Sequence, residues 1–134
     1  MSIADLRNGL ATNLATISGL RTSIDIPDNP SPPIAIIALE TVSYDEAYQR
    51  GLTIYRFTIT LLASRASERR AQAKLDEYTS DEGASSVKSA IESDKTLGGS
   101  AYDVRVTEMS NYGTVSLGEV MYLAADYAVT VYAD

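Results

Sequence analysis

Ser85 and Lys88 stand three residues apart in Ser85-Ser86-Val87-Lys88, the Ser-x-x-Lys spacing of acylating serine enzymes. Those enzymes need a much larger scaffold and further motifs, and Lys95-Thr96-Leu97 is not the Lys-Thr-Gly sequence that accompanies the pair. Ser85 or Ser86 is therefore expected to cap a helix. The chain has no His and no Cys, which removes hydrolytic triads, thiol nucleophiles and His-based zinc sites. Carboxylates, Lys, Ser and Tyr are what remain for catalysis, so the expectation is a protein that is not an enzyme, with no catalytic residue, cofactor or metal.

The other chemistry-bearing groups read the same way. Asp76, Glu77, Asp81 and Glu82 are carboxylates that could attract Ca²⁺ or Mg²⁺, but their spacing is not that of a calcium-binding helix-loop-helix. They fit the end of one helix and the start of the next. Gly98-Gly99 lies in no nucleotide-binding glycine pattern and reads as a turn. Arg65, Arg69, Arg70 and Lys74 form the one basic cluster, which a helix would spread over about one and a half faces. That is a solvated face or, as the functional alternative, a contact with an acidic neighbouring subunit. Tyr44 and Tyr48 could anchor a partner or fold their loop back on the domain.

These residues need elements to position them. Ile3, Leu6, Leu10, Leu14 and Ile17 step by three or four, which predicts a helix over 2–18, with Ser2 and Asp5 at its start, Gly19 at its stop, and Asn13 on the polar side. A short strand over 22–26 precedes the Pro27 to Pro33 segment, where regular structure is forbidden. Ile34 to Leu39 reads as a strand buried on both faces. Leu52 to Ala63 alternates, with Tyr55, Phe57, Ile59 and Leu61 inward, and the two should form an antiparallel hairpin. Between them Glu40 to Gly51 is a loop longer than most hairpin turns. A helix from Ser64 to Thr79 carries the stripe Ala71, Leu75, Tyr78, and a shorter one carries Val87, Ala90 and Ile91. Two paired strands then run to the C-terminus around Asn111-Tyr112-Gly113, the last with Met121, Leu123, Ala125, Tyr127, Val129 and Val131 inward. The order α-β-β-β-α-α-β-β predicts one α+β domain over 1–134, a mainly antiparallel sheet with helices packed against it and no Rossmann repeat.

At 134 residues and 45% hydrophobic content, a single core burying roughly two-thirds of the unfolded surface is expected. Nine Tyr must help to build it, since there is one Phe and no Trp. The formal charge of −7 is segregated: residues 1–75 carry seven acids and eight bases, residues 76–134 eleven acids and three bases. An anionic second half disfavours free-standing nucleic-acid binding. No Cys means no disulfide framework. The acidic start Met1-Ser2-Ile3-Ala4-Asp5 is not that of a signal peptide, and apolar runs such as Ile34 to Leu39 are too short to span a membrane, so a soluble protein without a membrane partner is expected.

Taken in order, these features resemble the tail-terminator, or tail-completion, proteins of long non-contractile-tailed, lambda-like bacteriophages, especially those of actinobacteria. The resemblance spans most of the chain and is sharpest at Gly83-Ala84-Ser85-Ser86-Val87, Ala90-Ile91, Asp94-Lys95-Thr96-Leu97-Gly98-Gly99 and Tyr122 to Tyr132. It implies a virion structural protein, assembled in the host cytoplasm, that caps the head-proximal end of the tail tube as a homo-oligomeric ring, usually of six subunits. Such a ring ends tube growth and offers a surface to the head-completion or neck protein. Its partners are the tail tube protein and that neck protein, and double-stranded DNA passes through its lumen without specific binding, which an acidic wall would assist by repulsion. Rings need heterologous contacts. The candidate patches are the proline segment, with Pro32; the long loop, with Tyr44, Asp45, Tyr48 and Arg50; and the basic residues Arg65, Arg69 and Arg70. Another connector, neck or tube protein is the alternative, and a small enzyme or ligand-binding domain a more distant one.

Overall fold

The computed structural model describes residues 3–17, 19–24, 32–44, 53–67, 69–80, 83, 85–117 and 119–133. Helix α1 (Ile3–Leu14) forms because Leu6, Leu10 and Leu14 recur every fourth residue, which places them on one buried stripe. Ile17 continues the stripe in the turn that follows, and Gly19, at φ +82, reverses the chain where a Cβ would be strained. Asn13, expected on the polar side, is buried. Its amide donates to the Ile91 carbonyl at 2.8 Å and the Asp94 carbonyl at 3.0 Å, so a group that scores as polar by periodicity ties α1 to the turn after the third helix.

Strands β1 (Arg21–Ser23), β2 (Ile34–Ser43), β3 (Thr53–Arg65), β4 (Asp103–Leu117) and β5 (Val120–Ala133) make one sheet in the order β1-β2-β3-β5-β4. The class is α+β. The expected antiparallel pairing holds for β2–β3, β3–β5 and β4–β5, while β1 lies parallel to β2, so the sheet is mixed. Tyr55, Phe57, Ile59 and Leu61 point to the core, as their pattern predicts, whereas of Ile34 to Leu39 only Ile34 to Ile37 are buried on both faces, Ala38 being exposed and Leu39 half-buried. Helices α2 (Ala71–Thr79) and α3 (Val87–Ile91) join α1 on that face, with Ala71, Leu75, Val87, Ala90 and Ile91 packed against β3, β5 and β4. Tyr127 enters the same core, and its hydroxyl reaches the Tyr78 carbonyl at 3.2 Å. On the opposite face Ile34, Ile36, Leu62, Tyr122 and Ala124 form a smaller cluster, joined by Val115, Leu117 and Val120 from the β4–β5 hairpin.

Helix α1 ends at Leu14, short of the expected 18, and three further boundaries differ from the sequence expectation because cross-strand pairing overrides local composition. First, β2 runs past Leu39 to Ser43 across a bulge at Glu40, pairing Thr41, Val42 and Ser43 with Arg56, Tyr55 and Ile54. Glu40 to Ser43, expected in the long loop, therefore belong to β2. Second, Ser64 and Arg65 extend β3 opposite Leu123 and Tyr122, past a bulge at Ala63, so the helix begins at Ala71 rather than Ser64. Third, Asn111-Tyr112-Gly113 is no turn. It is a bulge inside β4, between the pairs Ser110 with Asp126 and Gly113 with Ala124, and the chain reverses between Leu117 and Val120.

Candidate subunit interface

Ser86 is the N-cap of α3: its Oγ accepts the Ser89 amide at 3.1 Å and donates to the Ser80 carbonyl at 2.6 Å. Lys88 is held by Glu92 one turn on, at 2.6 Å. Both polar groups beside Ser85 thus serve the helix itself. Asp76, on the exposed side of α2, accepts the Tyr112 hydroxyl and, at 3.2 Å, the Gln72 amide, while Asp81 and Glu82 lie outside the described residues. Among the described residues no group of three or more acids is close enough to hold a metal ion. Gly98 and Gly99 take positive φ in a turn organised by Asp94, which accepts the Thr96 amide at 3.1 Å, the Thr96 hydroxyl at 2.8 Å and the Gly98 amide at 3.0 Å. Those bonds, the Thr96 hydroxyl foremost, hold the Asp94 carboxyl below its ordinary pKa.

The residues proposed for contact with other subunits are distributed along the sheet. Pro32 directly precedes β2, joined to Pro33 by a cis peptide bond. Arg65 ends β3, exposed, opposite the start of β5. Because the start of β2 pairs with the end of β3, Pro32 and Arg65 share one end of the sheet, with the β4–β5 reversal. Arg69 and Arg70 follow in the exposed turn before α2, so the basic residues belong to a strand end, a turn and, at Lys74, a helix rather than to one helix face. Tyr44 lies at the opposite end, beyond Ser43, and is 74% exposed. Asp45, Tyr48 and Arg50 lie outside the described residues. The structure brings Pro32 and Arg65 to one end and separates both from Tyr44 by the length of β2, ten residues and about 33 Å.

Sequence reasoning missed the edge of the sheet. Among the described residues β4 pairs with β5 alone, and from Thr107 to Tyr112 every residue is exposed. The bulge is pinned from both faces: Asn111, at φ +53, donates to Asp126 at 2.7 Å, which also accepts the Thr60 hydroxyl at 2.8 Å, while Tyr112 reaches the other way to Asp76 and Gln72 of α2. The hydrogen bond to Asp76 raises the Tyr112 pKa. Nearer its start, β4 is covered by carboxylates. The Asp103 side chain accepts the Val104 amide at 3.0 Å and Glu92 accepts the Val106 amide at 3.0 Å. Burial pulls the Glu92 carboxyl upward, but the Lys88 ammonium and the Val106 amide outweigh it and hold the group below its usual range. The available signal was the broken alternation at Asn111-Tyr112-Gly113, which reads equally as a turn or a bulge.

The helix-free face holds a shallow concavity of about 370 Å³, lined by Glu40, Arg56, Thr58, Thr107 and Thr130 among others. Arg56 is turned to Ser43 Oγ at 2.9 Å. Hydroxyls and one guanidinium on an open wall offer hydrogen bonds to a broad surface rather than an enclosed site for a small molecule. No protein-family model and no curated protein matches this chain.

Proposed function

We propose that this chain is a virion structural protein that caps the head-proximal end of a phage tail tube as a ring, ending tube polymerisation and presenting the head-joining surface. The observation that carries the reading is the two-ended sheet. A terminator subunit must meet the tube on one side and the neck on the other. Here strands of up to 15 residues hold Pro32, Arg65 and the β4–β5 reversal at one end and Tyr44 at the other. The resemblance in residues 83–132 supports it, since the capped helix, the Asp94-centred double-glycine turn and the strand pair each have a structural role of the kind a scaffold uses. The protein acts by shape and contact, without catalysis, cofactor or metal, and the lumen of its ring passes double-stranded DNA without specific binding. It works in the virion, at the head-proximal end of the tail, after assembly in the host cytoplasm. A neck or tube component is the alternative, and polymerisation separates them: purified terminator forms closed rings in electron micrographs, whereas a tube protein extends into filaments.

A further inference from the structure

We propose that the β4 edge from Thr107 to Val115 receives an extended segment of a different protein, one that alternates apolar residues with Lys or Arg; this stands on the edge itself and does not rest on the ring reading. A strand edge with unpaired backbone groups is a template for an added strand. Along β4 that edge is closed at its start, where carboxylates of Asp103 and Glu92 occupy the Val104 and Val106 amides. Among the described residues no side chain is bonded to a backbone amide from Thr107 to Val115. Even the bulge leaves the edge clear, because Asn111 turns to Asp126 on β5 and Tyr112 to Asp76 and Gln72 on α2.

The side chains along this stretch define what the added strand must carry. Met109 pairs with Tyr127, a member of the helix-side core, so Met109 projects from that face and Glu108, its neighbour, from the other. Met121, two residues before Leu123, shares the face of Met109, toward which Tyr112 is also drawn. Met109, Tyr112 and Met121 are 39%, 44% and 47% exposed, and flexible Met side chains adapt to a partner surface. Glu108 is exposed, and residues 106–134 carry four acids and no base. A strand laid beside Glu108 and Met109 therefore gains from a base on one face and an apolar group on the next.

Neither edge of a second copy supplies that pattern. β1 is three residues long, and the pairs linking Arg21, Ile34, Leu62, Ala124 and Gly113 set its one base at the level of Gly113, not of Glu108. A second β4 would bring another Glu108, and the nearest base on that strand, Arg105, lies in the closed part and is held by Asp103 at 2.9 Å.

The test titrates the full-length protein with two acetylated, amidated probe peptides, (Lys-Val)4 and (Glu-Val)4, by calorimetry and by hydrogen–deuterium exchange. The Lys peptide should bind at least tenfold more tightly than the Glu peptide and slow exchange within residues 107–115. Glu108→Lys should lower the preference for the Lys peptide at least several-fold, and Met109→Ser should weaken its binding, with circular dichroism confirming that both variants fold. Equal affinity for the two peptides, binding of neither, or binding of the Lys peptide with exchange at 107–115 unchanged would overturn the proposal. So would protection of that stretch that grows with protein concentration in the absence of peptide, since a second copy would then be the occupant. Each of these outcomes is read whether or not the protein forms rings, so failure here leaves the ring reading to its own experiment.

Discussion

Gly9 faces Leu97, a buried residue held at φ +50, and a Cβ built on Gly9 would lie 2.6 Å from the Leu97 Cβ. In an exposed helix Gly9→Ala would stabilise by roughly 0.5–1 kcal/mol, but here overpacking, at about 1–3 kcal/mol, wins. We predict a net loss of stability in urea unfolding, and a gain would show that α1 does not rest on this turn. Glu92 gives a pH test. Its folded pKa lies below the unfolded one, so its contribution is full above the unfolded value of about 4.3 and disappears as pH falls through the folded value. Glu92→Gln should cost about 1 kcal/mol near neutral pH, and the gap to the parent should close as the carboxyl is protonated in acid, measured by thermal melts. Tyr127→Phe should cost about 1 kcal/mol through the lost bond to the Tyr78 carbonyl. At this scale the apolar stripes of Leu6, Leu10 and Leu14 and of Tyr55, Phe57, Ile59 and Leu61 were legible, because periodicity reports burial. Asn13 and Gly9 were not, since their value depends on Ile91, Asp94 and Leu97, more than 75 positions away.

Elements were legible in type and less so in extent. β2, β3 and β4 all continue through polar residues because a partner strand supplies hydrogen bonds that composition does not announce, as Ser64 and Arg65 show opposite Leu123 and Tyr122. The β4 bulge is the instructive case. Asn in the left-handed region, followed by Tyr and Gly, reads as a turn, and only the anchors Asp126 and Asp76, from β5 and α2, decide otherwise. Asp126→Ala should therefore cost about 1 kcal/mol and raise amide exchange around residues 110–113, read by hydrogen–deuterium exchange. Unchanged protection there would mean that the bulge is set by backbone pairing alone. Glu92 also belongs here, because removing it opens the Val106 amide, and Glu92→Ala should self-associate more readily in light scattering than the parent.

For the whole molecule, much of the acidity segregated into the second half of the sequence is engaged locally. Within the acidic second half Glu92 is tied to Lys88, Asp103 to Arg105 at 2.9 Å, Asp94 to its own turn and Asp126 to Thr60 and Asn111, which leaves Glu108 and Glu119 among the acids exposed for contact. As a hypothesis motivated by that segregation, Arg69 and Arg70 meet carboxylates of the next subunit, so reversing both charges should abolish ring formation and high salt should weaken it. Unimpaired rings would sink that contact. The central claim is tested most directly by electron microscopy of the purified protein, alone and mixed with tail tubes. The account predicts closed rings that dock at one end of each tube and stop its growth; filaments of the protein alone, or tubes that elongate unchanged in its presence, would contradict it.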